Sequence, residues 1–149
     1  NMFPYNYTLI SAVASWFAAQ FIKTIIHAVK YKTFNPERLF GSGGMPSSHS
    51  ALVCAATLAC GRSEGIESVS FAIMFLVAMV VMYDAMGVRR AAGLHARELN
   101  KLRDIILEHN EINEKTKKLK EYIGHTPLEV LGGAILGILI ALIMPVTIG

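Results

Sequence analysis

Four apolar blocks separated by polar turns constrain the fold of this chain more than any other feature of its sequence. They occupy residues 5–27, 47–60, 69–88 and 128–148. A helix rises about 1.5 Å per residue, so the longer blocks match a hydrocarbon core of about 30 Å. Hydrophobic residues make up 53% of the chain, which is above the usual share in a soluble domain. We therefore expect an all-α fold, a single membrane-embedded helical bundle of about four spans over residues 1–149.

The segment 91–122 differs from the rest because it is charged. Leu99, Leu102 and Ile106 recur at helical spacing, which predicts an amphipathic helix lying on the membrane surface or on the bundle. Residues 111–121 are rich in Lys and Glu, a composition typical of a solvated helical face or of a mobile linker. We expect this segment to be cytoplasmic.

The second block follows a stretch that combines glycine, serine, proline and histidine. Residues 41–50 read Gly-Ser-Gly-Gly-Met-Pro-Ser-Ser-His-Ser. Proline fits the first position of a helix, and serine side chains accept hydrogen bonds from unpaired N–H groups at a helix start. Because a helix N-terminus attracts anions, the stretch predicts a phosphate cradle that includes Gly44, Ser47 and Ser48. His49 is the candidate proton donor. The alternative is an ordinary serine cap after a flexible loop, with His49 incidental.

Four polar residues at the end of the first block and just beyond it fall on one stripe of the predicted helix. They are Gln20, Lys23, His27 and Lys30, at steps of three, four and three. Such a stripe indicates a helix face turned towards the interior of a bundle. For Lys23, the alternative is an interfacial lysine that snorkels to the lipid head groups.

Asp84 is the first charged residue of the third block. An ionisable side chain inside a span is costly, so Asp84 is a candidate functional residue. Arg89 and Arg90 follow at once and are its candidate partners. The alternative is a salt bridge at the helix end with no chemical role.

Another histidine and another proline, in His125-Thr126-Pro127, directly precede the fourth block. Glu129 lies four residues after His125, within reach on the same helix face. Gly133 and Gly137 form a GxxxG pattern, which favours close helix packing and is compatible with a homodimer.

An even number of spans places the ends of the first and third blocks on the side where the second and fourth begin. The candidate residues converge on this side: Lys23, the 41–50 stretch, Asp84, Arg89, Arg90, His125 and Glu129. Every Lys and Arg except Arg62 also lies on or next to it. The positive-inside rule then predicts that this face is cytoplasmic in a multi-pass protein of the cell membrane.

Two histidines, basic side chains and a helix-start cradle are the components of metal-free phosphoryl transfer. One imidazole can attack phosphorus while the other protonates the leaving oxygen. Basic side chains hold the phosphoryl oxygens, and a carboxylate beside the nucleophile stabilises the cation formed on attack. We expect no metal or other cofactor. The formal charge of +3 does not by itself imply a nucleic-acid partner, and we expect none.

Three motifs follow one another at 43–50 (Gly-Gly-Met-Pro-Ser-Ser-His-Ser), 84–90 (Asp-Ala-Met-Gly-Val-Arg-Arg) and 124–130 (Gly-His-Thr-Pro-Leu-Glu-Val). Together they resemble the divergent bacterial branch of the type 2 phosphatidic acid phosphatase superfamily. That superfamily includes acid phosphatases and is related to vanadium-dependent haloperoxidases. The resemblance covers nearly the whole chain and implies a lipid phosphatase.

The resemblance also implies roles for individual residues. His125 matches the nucleophilic histidine, and Glu129 stands where an aspartate usually supports it. His49 matches the general acid of a Pro-Ser-Gly-His element, in which Ser48 replaces the glycine. The basic phosphate clamp would be Lys23 with Arg89 or Arg90, although in the superfamily the arginine normally lies a few residues before the nucleophile.

These observations predict a phosphatase acting on a phosphate monoester or diphosphate with a lipid-like tail, through a phosphohistidine on His125. A second hypothesis is a non-enzymatic membrane protein that binds or transports an anion or anionic lipid, since transporters also carry intramembrane charges such as Lys23 and Asp84. A third is a structural or regulatory subunit whose 91–122 segment recruits a partner.

Overall fold

The fold is entirely helical over the residues that the computed structural model describes, which are 6–32, 44–109, 118–119 and 124–146. This confirms the all-α prediction. The helices, in chain order, are α1 (Tyr7–Tyr31), α2 (Ser48–Glu64), α3 (Val69–Met86), α4 (Val88–His109) and α5 (Pro127–Ile143).

Helix α2 lies at the centre of the bundle and packs against α1, α3 and α5. Its sequence explains this position, because Ala51, Ala55 and Ala59 are completely buried and are small enough for neighbouring helices to approach closely. Helix α1 also contacts α5, whereas α4 packs against α3 alone among the described helices.

Helix α1 is longer than the first apolar block. The Asn6 side chain caps its start by accepting a hydrogen bond from the Leu9 N–H. The helix continues past His27 to Tyr31 and ends at Lys32, whose φ of 52° is left-handed. The polar residues beyond 27 therefore remain helical, as the stripe over Gln20 to Lys30 requires.

Helix α2 also exceeds its predicted length, and the expected turn at 61–68 begins only after Glu64. The polar residues at its end stay helical because they find hydrogen-bond partners. The Ser63 hydroxyl donates to the Ala59 carbonyl at 3.0 Å. Gly65, with a φ of +90°, then ends the helix. At the other end Pro46 precedes the cap residue Ser47, so its predicted place as the first helical residue is wrong.

Arg62, near the end of α2, connects three helices. Its Nη1 lies 2.6 Å from the Tyr7 hydroxyl at the start of α1. The same atom is within hydrogen-bond distance of carbonyl oxygens at the end of α5, those of Ala141, Leu142 and Met144. The Tyr7 hydroxyl in turn donates to the Ala141 carbonyl at 2.5 Å. A guanidinium at a helix C-terminus also complements the helix dipole.

The last two apolar blocks end earlier than predicted. Helix α3 stops at Met86, because Gly87 adopts a non-helical conformation before α4 begins at Val88. Helix α5 has Thr126 as its cap and Pro127 in its first turn, and it ends at Ile143, two residues before Pro145.

Many large apolar side chains point away from the bundle. Phe21 is 64% exposed on α1, Val80 68% on α3 and Ile143 81% on α5. Within the described residues, two helical segments are long and apolar enough to cross a bilayer, Tyr7–Lys30 and Val69–Leu107. The apolar part of the second segment is α3, and α4 is its polar continuation. Helix α5 is apolar but shorter. Such surfaces suit a lipid environment rather than water.

The first part of the charged segment forms α4, as its spacing predicts. Residues 118–119 return to this helix, because the Asn100 side chain pairs with the Leu119 backbone through two hydrogen bonds of 2.9 Å. Lys118 lies 2.6 Å from Asp104. The predictions made for residues 110–117 and 120–123 lie outside the described residues.

Candidate active site

His125 lies at the start of α5 with its side chain almost fully buried. Its Nδ1 is 3.3 Å from Oε2 of Glu129, one helical turn later. The same Oε2 accepts the Thr126 N–H at 2.9 Å, and the Thr126 hydroxyl accepts the Glu129 N–H, which completes a capping box. The cap thus fixes the carboxylate that contacts His125. If this carboxylate accepts the Nδ1 proton, the lone pair of the neutral imidazole is on Nε2.

His49 lies in the first turn of α2 and faces His125. The centroids of the two rings are 6.5 Å apart, with the ring planes tilted by 59°. His49 is half-buried, whereas His125 is buried. The fold therefore brings together two histidines that are 76 residues apart in the sequence.

Backbone hydrogen bonds hold the two histidine-bearing helix starts in place. The His125 N–H donates to the Ala85 carbonyl at the end of α3 (3.1 Å), and the Ser47 N–H donates to the Glu129 carbonyl on α5 (2.9 Å). Both donors precede their helices, so neither has an intrahelical partner. These bonds fix α5 against α3 and α2 against α5 at the level of the histidines.

Glycine in α5 permits this close approach. A Cβ at Gly133 would overlap the Ser47 carbonyl oxygen, and one at Gly137 would overlap the Ala51 carbonyl oxygen. At Gly132, a Cβ would meet only the flexible end of the Met45 side chain, at 3.2 Å. The GxxxG pattern is therefore used for packing inside this chain, between α5 and α2.

The predicted phosphate cradle is compact where the structure describes it. Ser47 is fully buried, and its Oγ accepts hydrogen bonds from the Ser50 N–H (3.4 Å) and the Ser50 hydroxyl (3.0 Å). Ser48 is 3% exposed. Residues 41–43 of the glycine-rich stretch lie outside the described residues.

Lys23 belongs to the same end of the bundle. It is 4% exposed, and its side chain runs beside Gly44, whose φ is +87°. A Cβ on Gly44 would stand 3.6 Å from Cγ of Lys23. A lysine this deeply buried does not snorkel to the membrane surface. Gln20 and Lys23 of the stripe therefore face the bundle interior, whereas His27 is half-buried and Lys30 is exposed.

The remaining candidates are placed less centrally. Asp84 lies in the last turn of α3, directly before Ala85, and lines a cavity of about 340 Å³ with Tyr83 and Val88. Arg90 is exposed on α4. Arg89 is also on α4, but its side chain lies outside the described residues.

Two features of this end of the bundle could not be predicted from the sequence. The Ala85 carbonyl anchors His125 through a backbone atom, which any residue type supplies. Gln20 was visible as part of the polar stripe, but its deep burial, at 5% exposed, was not. Both are recognisable only when helices distant in sequence are seen side by side.

Comparison with known proteins places the chain in a family. The sequence model of the family described as the divergent PAP2 family matches residues 5–140. A relative in Bacillus subtilis (strain 168), described as the uncharacterized membrane protein YuiD, is 37% identical, and the match covers 93% of this chain and 94% of the relative. No solved structure matches the chain.

Proposed function

This chain belongs to the divergent PAP2 family, and we propose that it is a membrane-embedded phosphatase that removes phosphate from a lipid-like substrate. The observation that carries the proposal is the 6.5 Å separation of the His49 and His125 rings. An attacking atom lies roughly 3–3.5 Å from its target, and a proton donor lies roughly 2.6–3.2 Å from its acceptor. The proposal places one phosphoryl group between the two rings, in contact with both.

In the proposed reaction Nε2 of His125 attacks phosphorus, and the bond from phosphorus to the lipid oxygen breaks. His49 donates its proton to that leaving oxygen, so the products are a lipid alcohol and a phosphohistidine. Water then attacks the phosphohistidine while His49 accepts a proton, the phosphorus–nitrogen bond breaks and inorganic phosphate leaves. Glu129 stabilises the charge that forms on His125.

The electrostatics of the site support this sequence of steps. Lys23 supplies a buried positive charge near the start of α2, where the helix dipole also favours anions. In a site that excludes water such groups stabilise the transition state more strongly than they would in water. Lys23, Gly44, Ser47 and Ser48 are the proposed phosphate ligands, and Arg89 and Arg90 remain candidates for the clamp.

An apolar groove next to the cradle supports a lipid rather than a soluble substrate. It has a volume of about 270 Å³, lies between α1 and α5, and reaches Met45 and Pro46 immediately before Ser47. Its lining is apolar and includes Ile26 and Ile135. A hydrocarbon chain in this groove would place its phosphate beside the histidines.

The proposal includes a multi-pass arrangement with the histidines at the cytoplasmic face. All Lys and Arg residues except Arg62 support this orientation under the positive-inside rule.

The decisive experiment is a phosphate-release screen over lipid phosphates and diphosphates with the full chain in detergent. We expect His125→Ala and His49→Ala to lower the rate of hydrolysis by about 10³-fold or more, because each removes a reacting group. Activity should follow a bell-shaped pH profile, since His125 must be neutral and His49 protonated. Hydrolysis that persists in folded His125→Ala, or anion flux without phosphate release in vesicles, would contradict the proposal.

The groove has its own test. Ile135→Trp should fill it and lower kcat/KM for a long-chain lipid phosphate, while kcat/KM for a short water-soluble phosphate monoester stays unchanged. An equal loss on both substrates would refute tail binding in the groove.

A further inference from the structure

Gln20 is a deeply buried polar residue to which the reaction above assigns no role. It lies on α1 and is 5% exposed. Its Oε1 atom is buried and has no hydrogen-bond partner among the residues that the structure describes. Burying an amide oxygen without a partner destabilises the folded state.

The packing of α1 against α2 places Gln20 at the level of the cradle. The Ser15 hydroxyl donates to the Ala51 carbonyl on α2 at 3.0 Å, and Lys23 lies beside Gly44. The two helices therefore run in opposite directions through this region. Gln20 is five residues beyond Ser15, or about 7.5 Å further along α1. Because α2 runs the other way, the same distance back from Ala51 leads to the start of α2. Gln20 therefore lies level with the start of α2.

Gln20 also shares a helix face with Lys23, three residues later. Both side chains are more than nine-tenths buried, although Phe21 between them is 64% exposed. The carboxamide is thus directed into the bundle, one turn deeper than the lysine.

We propose that the Gln20 carboxamide is a ligand of the bound phosphoryl group, a role that rests on the proposed phosphatase function. A carboxamide carries an NH₂ donor and a carbonyl acceptor, and rotation by 180° about the last side-chain bond exchanges them. The NH₂ group donates to a phosphoryl oxygen, and the carbonyl accepts from a protonated oxygen of the same group. Gln20 therefore adds hydrogen bonds to the oxyanion without placing a second buried charge beside Lys23.

Ser11 provides a matched control on the same helix. It is completely buried, and its Oγ is also without a hydrogen-bond partner within the described residues. It lies nine residues before Gln20, about 14 Å further from the histidines. If Gln20 is only a tolerated packing defect, the two residues should behave alike.

The test uses the full chain in detergent with inorganic vanadate, a tetrahedral oxyanion, as the probe. Vanadate affinity is measured by calorimetry, and Tm by thermal unfolding, for the wild type, Gln20→Met and Ser11→Ala. Each substitution removes an unsatisfied buried group, so neither should lower Tm in the absence of vanadate. Gln20→Met should weaken vanadate binding about 10- to 100-fold, as expected for hydrogen bonds to a charged group. Ser11→Ala should leave the affinity unchanged.

Gln20→Asn keeps the carboxamide but withdraws it by one methylene, so it should also weaken vanadate binding. Unchanged affinity in either folded Gln20 variant would overturn the role of Gln20 while leaving the proposed phosphatase intact. An equal loss in Ser11→Ala would show a general packing effect and would also overturn it. Absence of vanadate binding by the wild type would instead reject the phosphate site as a whole.

Discussion

At one end of the bundle Arg62 fastens three helices together, whereas at the other end His49 and His125 face each other between two helix starts. We call the first the arginine end, formed by Tyr7, Arg62 and Ala141. We call the second the histidine end, formed by Ser47, His49 and His125. Both ends join α2 to α5 with hydrogen bonds. At the arginine end, side chains pair with the last carbonyls of α5. At the histidine end, backbone N–H groups make the connections between helices.

We interpret the arginine end as the part that stabilises the bundle and the histidine end as the part that binds a ligand. At the arginine end, Nη1 of Arg62 and the Tyr7 hydroxyl hold helices together. At the histidine end the backbone holds the helices, and within the described residues the Gln20 Oε1 atom has no hydrogen-bond partner. Proteins commonly accept local cost at functional sites and compensate for it elsewhere. The following predictions test whether the arginine end affects stability alone and the histidine end affects activity.

The largest effect is expected for Glu129→Gln. Glutamine preserves the capping box, so the start of α5 should remain intact, but the negative charge next to His125 is lost. We expect kcat to fall by about 10²- to 10⁴-fold with little change in Tm. Phosphate release and thermal unfolding measure the two effects. Activity close to that of the wild type would remove Glu129 from the mechanism.

Gly133→Ala should disturb the histidine end by steric overlap. The new methyl group meets the Ser47 carbonyl oxygen, and overpacking of this kind costs about 1–3 kcal/mol of the free energy of unfolding. The matched control is Gly132→Ala, whose methyl group meets only the flexible end of Met45. Thermal unfolding should show a lower Tm for Gly133→Ala alone. Equal Tm values for the two variants would contradict this packing.

Arg62→Met should affect the arginine end only. The substitution keeps an apolar stem but removes the donors to Tyr7 and to the end of α5, at a cost of about 1–2 kcal/mol. We expect a lower Tm and an unchanged kcat/KM, because the histidines are held by other contacts. Tyr7→Phe, which removes a single hydroxyl group, should show a smaller fall in Tm. A specific loss of activity at unchanged Tm would break the division between the two ends.

The smallest effect concerns the return of residues 118–119 to α4. A hydrogen bond from Lys118 holds the pKa of Asp104 below its usual value. The pairing therefore contributes fully above the ordinary pKa of an aspartate and is lost as the pH falls through the lowered value. Hydrogen exchange at the Leu119 amide, which donates to Asn100, should speed up in acid relative to the intrinsic rate.

Lys118→Ala should give the same faster exchange at neutral pH. Lys101→Ala serves as the control, because Lys101 pairs with Glu98 on the same helix and does not contact Leu119. Since exposed pairs contribute little, Tm should hardly change in either variant. Identical exchange in Lys118→Ala and the wild type would mean that Asn100 alone holds the segment.

The sequence by itself determined the helical class, the family and the approximate position of every helix. Apolar blocks of sufficient length identify helices, and caps such as Ser47 and Thr126 are local signals, so both can be read from short segments. Helix ends were less accurate. Arg62, near the end of α2, has its partners at the start of α1 and the end of α5, and no local pattern reports such partners.

Only the tertiary structure decided which residues meet. The sequence supplied His49, His125 and a GxxxG pattern, but the distance between the rings depends on where Gly133 lets α5 approach Ser47. The burial of Gln20 and the anchoring of His125 by the Ala85 carbonyl likewise arise between helices. Side-chain types and helical periodicity are local properties of the chain, whereas separation and burial are set by the packing of segments that are distant in sequence.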